Sequence, residues 1–398
     1  MNTIYVKLKP FAKSIFVFFA IVLIGFYFYF GFKGFDLSKI WKSLYHSDFY
    51  INYEGGFVRR GFDGEIIYLL AKTFHINSIF IQKIYNLIFF VVFGIMMLYF
   101  ICKYKPPFFA LFSTSVLLLY VFYIGRGLRK DHILMFFFFL SCFEMLKSKR
   151  KIYTILVINV LFIIATLVHE LFFIISFFPT VLLLNNFTFG TERKSLNYIK
   201  PAISLLPATL VFLYIFFFSL GTVVEQQAIL TSWKELGITT IAFNSGIFDR
   251  SLYIWELGFT RNQYISFLGA IILHFIFMIV IISNDLKNKE LKKTFYALII
   301  LQYAVLLALS AVAKDFSRWI FLCNLTILIP IYILKKQVDQ YPAQQNDNYF
   351  SFLKKVSWVP YILFFINTMP HSGWNFNDYI VYNPVNVVYK IISNKHIL

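Results

Sequence analysis

Charge is what this sequence has least of. Only 14% of its 398 residues are Asp, Glu, Lys or Arg, where a soluble domain carries about 25%. That shortage excludes a solvated globular body of this size. Cysteine is sparse too: Cys102, Cys142 and Cys323 lie in or beside apolar segments at unrelated spacings. They give neither a disulfide framework nor a zinc site. No nucleotide-binding motif is present; the run Gly-Arg-Gly-Leu-Arg-Lys at 125–130 has no strand before it and so is no dinucleotide loop. No internal repeat and no second domain is visible, so residues 1–398 read as one integral membrane unit. Acid is scarcer than base, 19 residues against 37, for a net charge of +18. With no soluble domain to meet nucleic acid, that surplus fits basic loops facing anionic lipid or a phosphate-bearing substrate.

What is abundant is apolar surface: 59% of the chain is hydrophobic, with 52 Phe and 26 Tyr. Runs of about 20 apolar residues recur along the whole length, which is what a helix needs to cross a bilayer. The expected fold is therefore all-α, a polytopic transmembrane bundle of about eleven helices with short amphipathic helices in the first external loop. Lys7, Lys9 and Lys13 precede an apolar run over 14–32. It exceeds a signal-peptide core and lacks a small-residue cleavage site, so the first helix is uncleaved and the N-terminus cytoplasmic. Residues 33–78 form the first long external loop, with amphipathic pieces at 36–45 and 65–74. Helix two spans 79–101 and ends inside at Lys103 and Lys105; helix three follows Pro106-Pro107 and ends outside in 125–131. Short helix four stops at the basic run 147–151.

The next stretch, 152–189, is too long for one crossing and is basic at both ends. It should cross twice, with a tight outer turn at its only central polar break, His169-Glu170. Helix seven, over 201–220, opens into a second long external loop, 221–262. Helix eight returns to Lys287, Lys289, Lys292 and Lys293, helix nine leads out to 314–319, and helix ten returns to Lys335-Lys336. After a polar segment at 337–348, an eleventh helix at 356–369 leaves the tail, 370–398, outside.

On this topology most lysines are cytoplasmic, as the positive-inside rule expects. Seven of the nine arginines fall on the other side: Arg59, Arg60, Arg126, Arg129, Arg250, Arg261 and Arg318. Topology alone does not separate lysine from arginine, but a need for bidentate anion contacts on one face does. Five polar clusters end on that face: 54–65, 126–131, His169-Glu170, 315–318 and 371–375. The first, Glu-Gly-Gly-Phe-Val-Arg-Arg-Gly-Phe-Asp-Gly-Glu, sets four glycines beside two arginines and three acids. Glycine lets backbone approach a ligand closely, and arginine offers a planar fork for phosphate or carboxylate.

Each cluster also has a plain structural reading. Residues 54–65 could be a solvated turn among headgroups, 125–130 an interfacial loop, and His371 a surface histidine. Asp315 and Arg318, one helical turn apart, could pair with each other. His169-Glu170 is no zinc-protease motif, because Phe173 stands where the second histidine would be. As a mere turn it is costly, since Ser, Asn or Gly would serve without ionisable groups at that depth. The tryptophans and tyrosines at helix ends read as interface anchors, and His274, inside helix eight, as a packed residue.

Arginines and carboxylates on an outer face, with no nucleotide site, fit transfer of a sugar from a polyprenyl phosphate or pyrophosphate carrier. The arginines would stabilise charge developing on the lipid-linked phosphate, and a carboxylate or histidine would take the proton of the attacking hydroxyl. The pattern of helices, the acid-bearing first loop with Gly-Gly-Phe-Val-Arg-Arg-Gly and the arginines at outer helix ends resemble the bacterial polysaccharide polymerases of O-antigen and capsule gene clusters. More broadly the chain is similar to the GT-C-like, lipid-carrier-dependent glycosyltransferases, which share a catalytic acid in the first external loop. The likeness spans nearly the whole chain, and its most specific pieces are 54–61, His169-Glu170 and 315–319. Many of those polymerases carry one very large late loop, whereas 221–262 is modest here.

The resemblance implies a multi-pass protein of the bacterial inner membrane, with 33–78, 221–262 and 370–398 in the periplasm. It implies an undecaprenyl-pyrophosphate-linked repeat unit as donor, a growing lipid-linked chain as acceptor, a chain-length regulator as a further partner, and no nucleic acid. Arg59, Arg60, Arg126, Arg129, Lys130, Asp131, Arg318 and His371 would then surround the pyrophosphate. Glu170, oriented by His169, would be the leading base, with Glu54, Asp48 and Asp315 in reserve. No cofactor is required; a divalent metal is left open, since Asp48 could bind one but no spacing argues for it. Three other readings remain: a transferase of single sugars from a polyprenyl monophosphate, a flippase for lipid-linked sugars, and a non-catalytic partner in an assembly complex. The flippase predicts mid-bilayer charge and broken helices in related halves, whereas Lys83 and Glu144 lie toward helix ends and no internal symmetry is present.

Overall fold

A computed structural model describes residues 48–106, 130–147, 150–189, 198–238, 261–310 and 316–338. Among them every regular element is helical: a 3-10 turn at Asp48–Tyr50 followed by eleven helices. In chain order these are α1 (Gly61–Phe74), α2 (Ser78–Tyr104), α3 (Asp131–Lys147), α4 (Lys151–Val168), α5 (Leu171–Phe187) and α6 (Ile199–Ser204). They continue with α7 (Leu206–Phe218), α8 (Val223–Glu235), α9 (Arg261–Asp285), α10 (Lys289–Ser310) and α11 (Phe316–Val338). The helices expected at 14–32, after Pro106-Pro107 and at 356–369, the amphipathic piece at 36–45 and the tail lie outside the described residues.

Four of the described helices are long and apolar enough to cross a membrane, or five if α7 and α8 count as one bent span. The four do not play equal parts. In α11, 89% of the apolar span is buried, against 28% in α2, 39% in α4 and 33% in α10. It packs on α2, α3, α5, α9 and α10. The outer helices instead show exposed apolar stripes, such as Ile152, Leu156 and Val160 at four-residue intervals along α4. In water such stripes would be a liability, whereas hydrocarbon solvates them at no cost.

Helix limits follow local chemistry. Asn77 caps α2 by accepting from the Ile79 amide at 2.9 Å, and α2 ends where Lys105 turns left-handed, one residue before Pro106. Asp131 in the first turn and Lys147 in the last suit the dipole of α3. The long apolar stretch after Arg150 does break at His169-Glu170, where His169 is extended, and α4 packs on α5 beyond the break. Helix seven of the sequence reading is two pieces, α6 and α7, because Pro207 can start a helix but not continue one. Asn159 of α4 closes that break: its amide donates to Ser204 O at 2.8 Å and its oxygen accepts from the Ala208 amide at 3.2 Å. The chain then bends by 100° into α8, where a loop was expected. Thr222 and Glu225 form a capping box at its start.

Lys336, at the end of α11, donates to Lys103 O, at the end of α2. The other end of the bundle gathers the starts of α1 and α3, the α4–α5 break and the end of α7. At two irregular points in the helices a side chain takes over a backbone hydrogen bond. Pro179, inside α5, cannot donate to Ile175 O, and the Gln302 side chain of α10 does so instead at 2.6 Å. Gln302→Leu should therefore cost about 1–3 kcal/mol in the wild type. In a Pro179→Ala background the restored amide reaches Ile175 O, and the same change should cost less. Melting curves of the four proteins in detergent decide it, and equal costs in both backgrounds would refute the coupling.

Candidate functional site

The first loop is folded so tightly that two positions tolerate only glycine. A Cβ on Gly64 would lie 1.9 Å from Ile51 O, so the first turn of α1 rests directly on the segment before it. A Cβ on Gly55 would lie 2.5 Å from Glu225 O, where α8 crosses the loop. The remaining ties are polar. The Tyr53 amide donates to Glu65 at 2.8 Å, the Arg59 amide to Ser219 O at 2.9 Å, and Asn52 Nδ2 to Ser232 Oγ at 2.9 Å. Trp233 Nε1 donates to Tyr50 O at 2.6 Å, and its ring meets the edges of Tyr50 and Tyr68. Trp233 is wholly buried by this, so it is a core residue within a stretch, 221–262, that was expected only as an external loop.

Behind the loop lies a buried charge cluster. Asp63 in α1 has no exposure, and Lys130, just before α3, is 4% exposed. Their charged atoms are 3.2 Å apart, and Tyr85 of α2 donates to the other Asp63 oxygen at 2.6 Å. Lys130 Nζ also donates to Arg60 O at 3.0 Å and to Val168 O at 3.4 Å, and lies over the Phe49 ring. Arg60 has φ 64°, in the left-handed region, a conformation that costs a non-glycine residue about 1 kcal/mol or more. The bond from Lys130 to its carbonyl helps to hold it there.

In front of Lys130 the arginines meet the α4–α5 break. Arg60 Nε donates to both Glu170 oxygens at 3.0 and 3.1 Å, and Nη2 donates to Oε1 at 2.6 Å. Arg59 Nη1 lies 3.7 Å from the same carboxylate, and Arg60 Nη1 lies 3.7 Å from Asp48. Burial pushes the Glu170 carboxyl up, but the Arg60 guanidinium, with Arg59 behind it, outweighs burial and holds it well below its ordinary 4.5. His169 Nδ1 is 3.4 Å from Glu170, yet it accepts from the Leu171 amide at 3.2 Å.

Of the residues singled out from the sequence, Asp48, Arg59, Arg60, Lys130, His169 and Glu170 come together here. Lys130 faces inward and braces the backbone. Asp131 is buried in the first turn of α3 beside it. Glu54 stays exposed, and no ion pair joins it to the cluster. Arg318 falls in the first turn of α11, with its side chain outside what is described. Arg126, Arg129, Asp315 and His371 lie outside the described residues. The sequence reading gave no role to Asp63 or Tyr85, although an acid three residues after Arg60 in so acid-poor a chain was a visible signal. His274 is buried beside Phe277, in keeping with a packed residue.

The chain matches no protein-family model, no curated protein and no solved structure. Among the described residues the fold is all-helical, with several helices apolar enough to cross a membrane. At one end of the bundle a pair of arginines is closed over a glutamate.

The depressed Glu170 carboxyl fixes the sign of one pH effect. A carboxylate favoured in the folded state adds its stability in full above its ordinary range, and loses it as pH falls through the folded-state value. The gap in melting temperature between wild type and Glu170→Gln should thus stay constant from neutral pH to about 5 and close only in stronger acid. A gap that widens on acidification would contradict the ion pair.

Proposed function

We propose that the chain is a membrane glycosyltransferase that polymerises undecaprenyl-pyrophosphate-linked oligosaccharide repeat units at the external face of a bacterial inner membrane. The observation that carries this reading is the Arg60–Glu170 contact, formed between distant segments at the end of the bundle away from Lys103 and Lys336. Under the positive-inside rule the lysine-rich end faces the cytoplasm, so the arginine–carboxylate end faces outward. Planar guanidinium groups at headgroup depth suit a lipid-linked pyrophosphate, and no nucleotide is needed because the donor already carries the energy.

In this mechanism the hydroxyl of the acceptor chain attacks the anomeric carbon of the donor sugar. Its proton passes to Glu170, and the bond to the pyrophosphate oxygen breaks with its electron pair on the leaving group. Arg59 and Arg60 stabilise the charge that collects there. Asp48, 3.7 Å from Arg60, orients that guanidinium. Replacing Arg60 or Glu170 with Ala, with membrane insertion verified by immunoblot, should reduce surface glycan to single repeat units on a gel. Long chains of normal length would overturn the assignment. Long chains lacking one sugar would move it to a transferase of single residues.

A further inference from the structure

The Arg60–Glu170 pair has a consequence for how the site is entered, and it rests on the lipid-phosphate reading above. We propose that the Glu170 carboxylate occupies the seat of the substrate's phosphate, so that an incoming pyrophosphate displaces it from Arg60 and thereby releases the base. The two events are one exchange of partners on a single guanidinium.

Three features of the geometry support the exchange. First, Glu170 takes the fork of Arg60 as an oxyanion ligand would, with contacts from Nε and Nη2 and with Arg59 3.7 Å away. A guanidinium fork fits carboxylate and phosphate alike, so the two compete for the same donors. Second, the backbones are held by contacts other than the pair itself. Lys130 holds the carbonyls of Arg60 and Val168, and Glu170 sits at the break between α4 and α5, outside either helical ladder. Side-chain rotation alone can therefore part the pair. Third, Arg60 does not lose all compensation when Glu170 leaves, because Asp48 lies against its other nitrogen.

The exchange also resolves a conflict of roles. A carboxylate held in three charge-assisted hydrogen bonds is a poor proton acceptor. Once parted from Arg60 but still beneath the loop, the same group regains basicity through burial. Glu170 becomes a base only when a phosphate is seated, which ties proton abstraction to the presence of donor.

Titration of the full-length protein in detergent with inorganic pyrophosphate, by calorimetry, tests this directly. Glu170→Gln removes the competing charge and should bind pyrophosphate about tenfold more tightly than wild type. Glu170→Asp keeps the charge but falls one methylene short of the fork, and should also bind more tightly. It carries the test if the glutamine variant fails to fold. Arg60→Ala should abolish binding. Binding by wild type that is equal to or tighter than that of both variants would overturn the displacement and leave the transferase reading standing. Pyrophosphate bound by none of the proteins would remove the anion site and both readings with it.

Discussion

The ammonium of Lys130 meets three separate parts of the chain: the Asp63 carboxylate in α1, the Arg60 carbonyl in the first loop and the Val168 carbonyl at the end of α4. A lysine with 3% of its side chain exposed is tolerable only if such partners meet it, because an uncompensated buried charge costs several kcal/mol. The folded state must therefore bring the first loop to the α4–α5 break. Once it has, the Arg60 and Glu170 side chains lie within hydrogen-bonding reach of each other. The arrangement of the site is a by-product of satisfying one buried cation.

The same logic governs the rest of the bundle. Backbone groups freed by irregular helix geometry have no water to turn to in an apolar interior. Gln302 answers the carbonyl orphaned by Pro179, and Asn159 answers both sides of the break between α6 and α7. Tyr303 donates to Asn324 at 2.7 Å where α10 meets the central α11. Gln302 and Asn159 act as local substitutes for hydrogen bonds the helices cannot make.

Much of this architecture was legible in the sequence because hydrophobic length is a strong signal. The break inside 152–189 could be read from one polar dipeptide in a long apolar stretch, and it falls there. The convergence of Arg59, Arg60, His169 and Glu170 could be anticipated from sidedness alone. Partnership could not. No spacing shows that Lys130 reaches Asp63, and so Lys130 read as a substrate ligand when it is a brace. The amphipathic helix α8 was missed although its capping box, Thr222 and Glu225, was in plain view. It stood in a polar stretch, and the reading looked there only for a loop.

The claim that Lys130 organises the site is tested most directly by unfolding Lys130→Met and the double variant Lys130→Met with Asp63→Leu. The account predicts that the single change costs about 3–5 kcal/mol, because Asp63 is left charged and buried, and that the double change recovers a large part of that loss. If Lys130→Met melts with the wild type, or if the second change adds to the loss in place of relieving it, the buried pair does not hold the loop against the α4–α5 break.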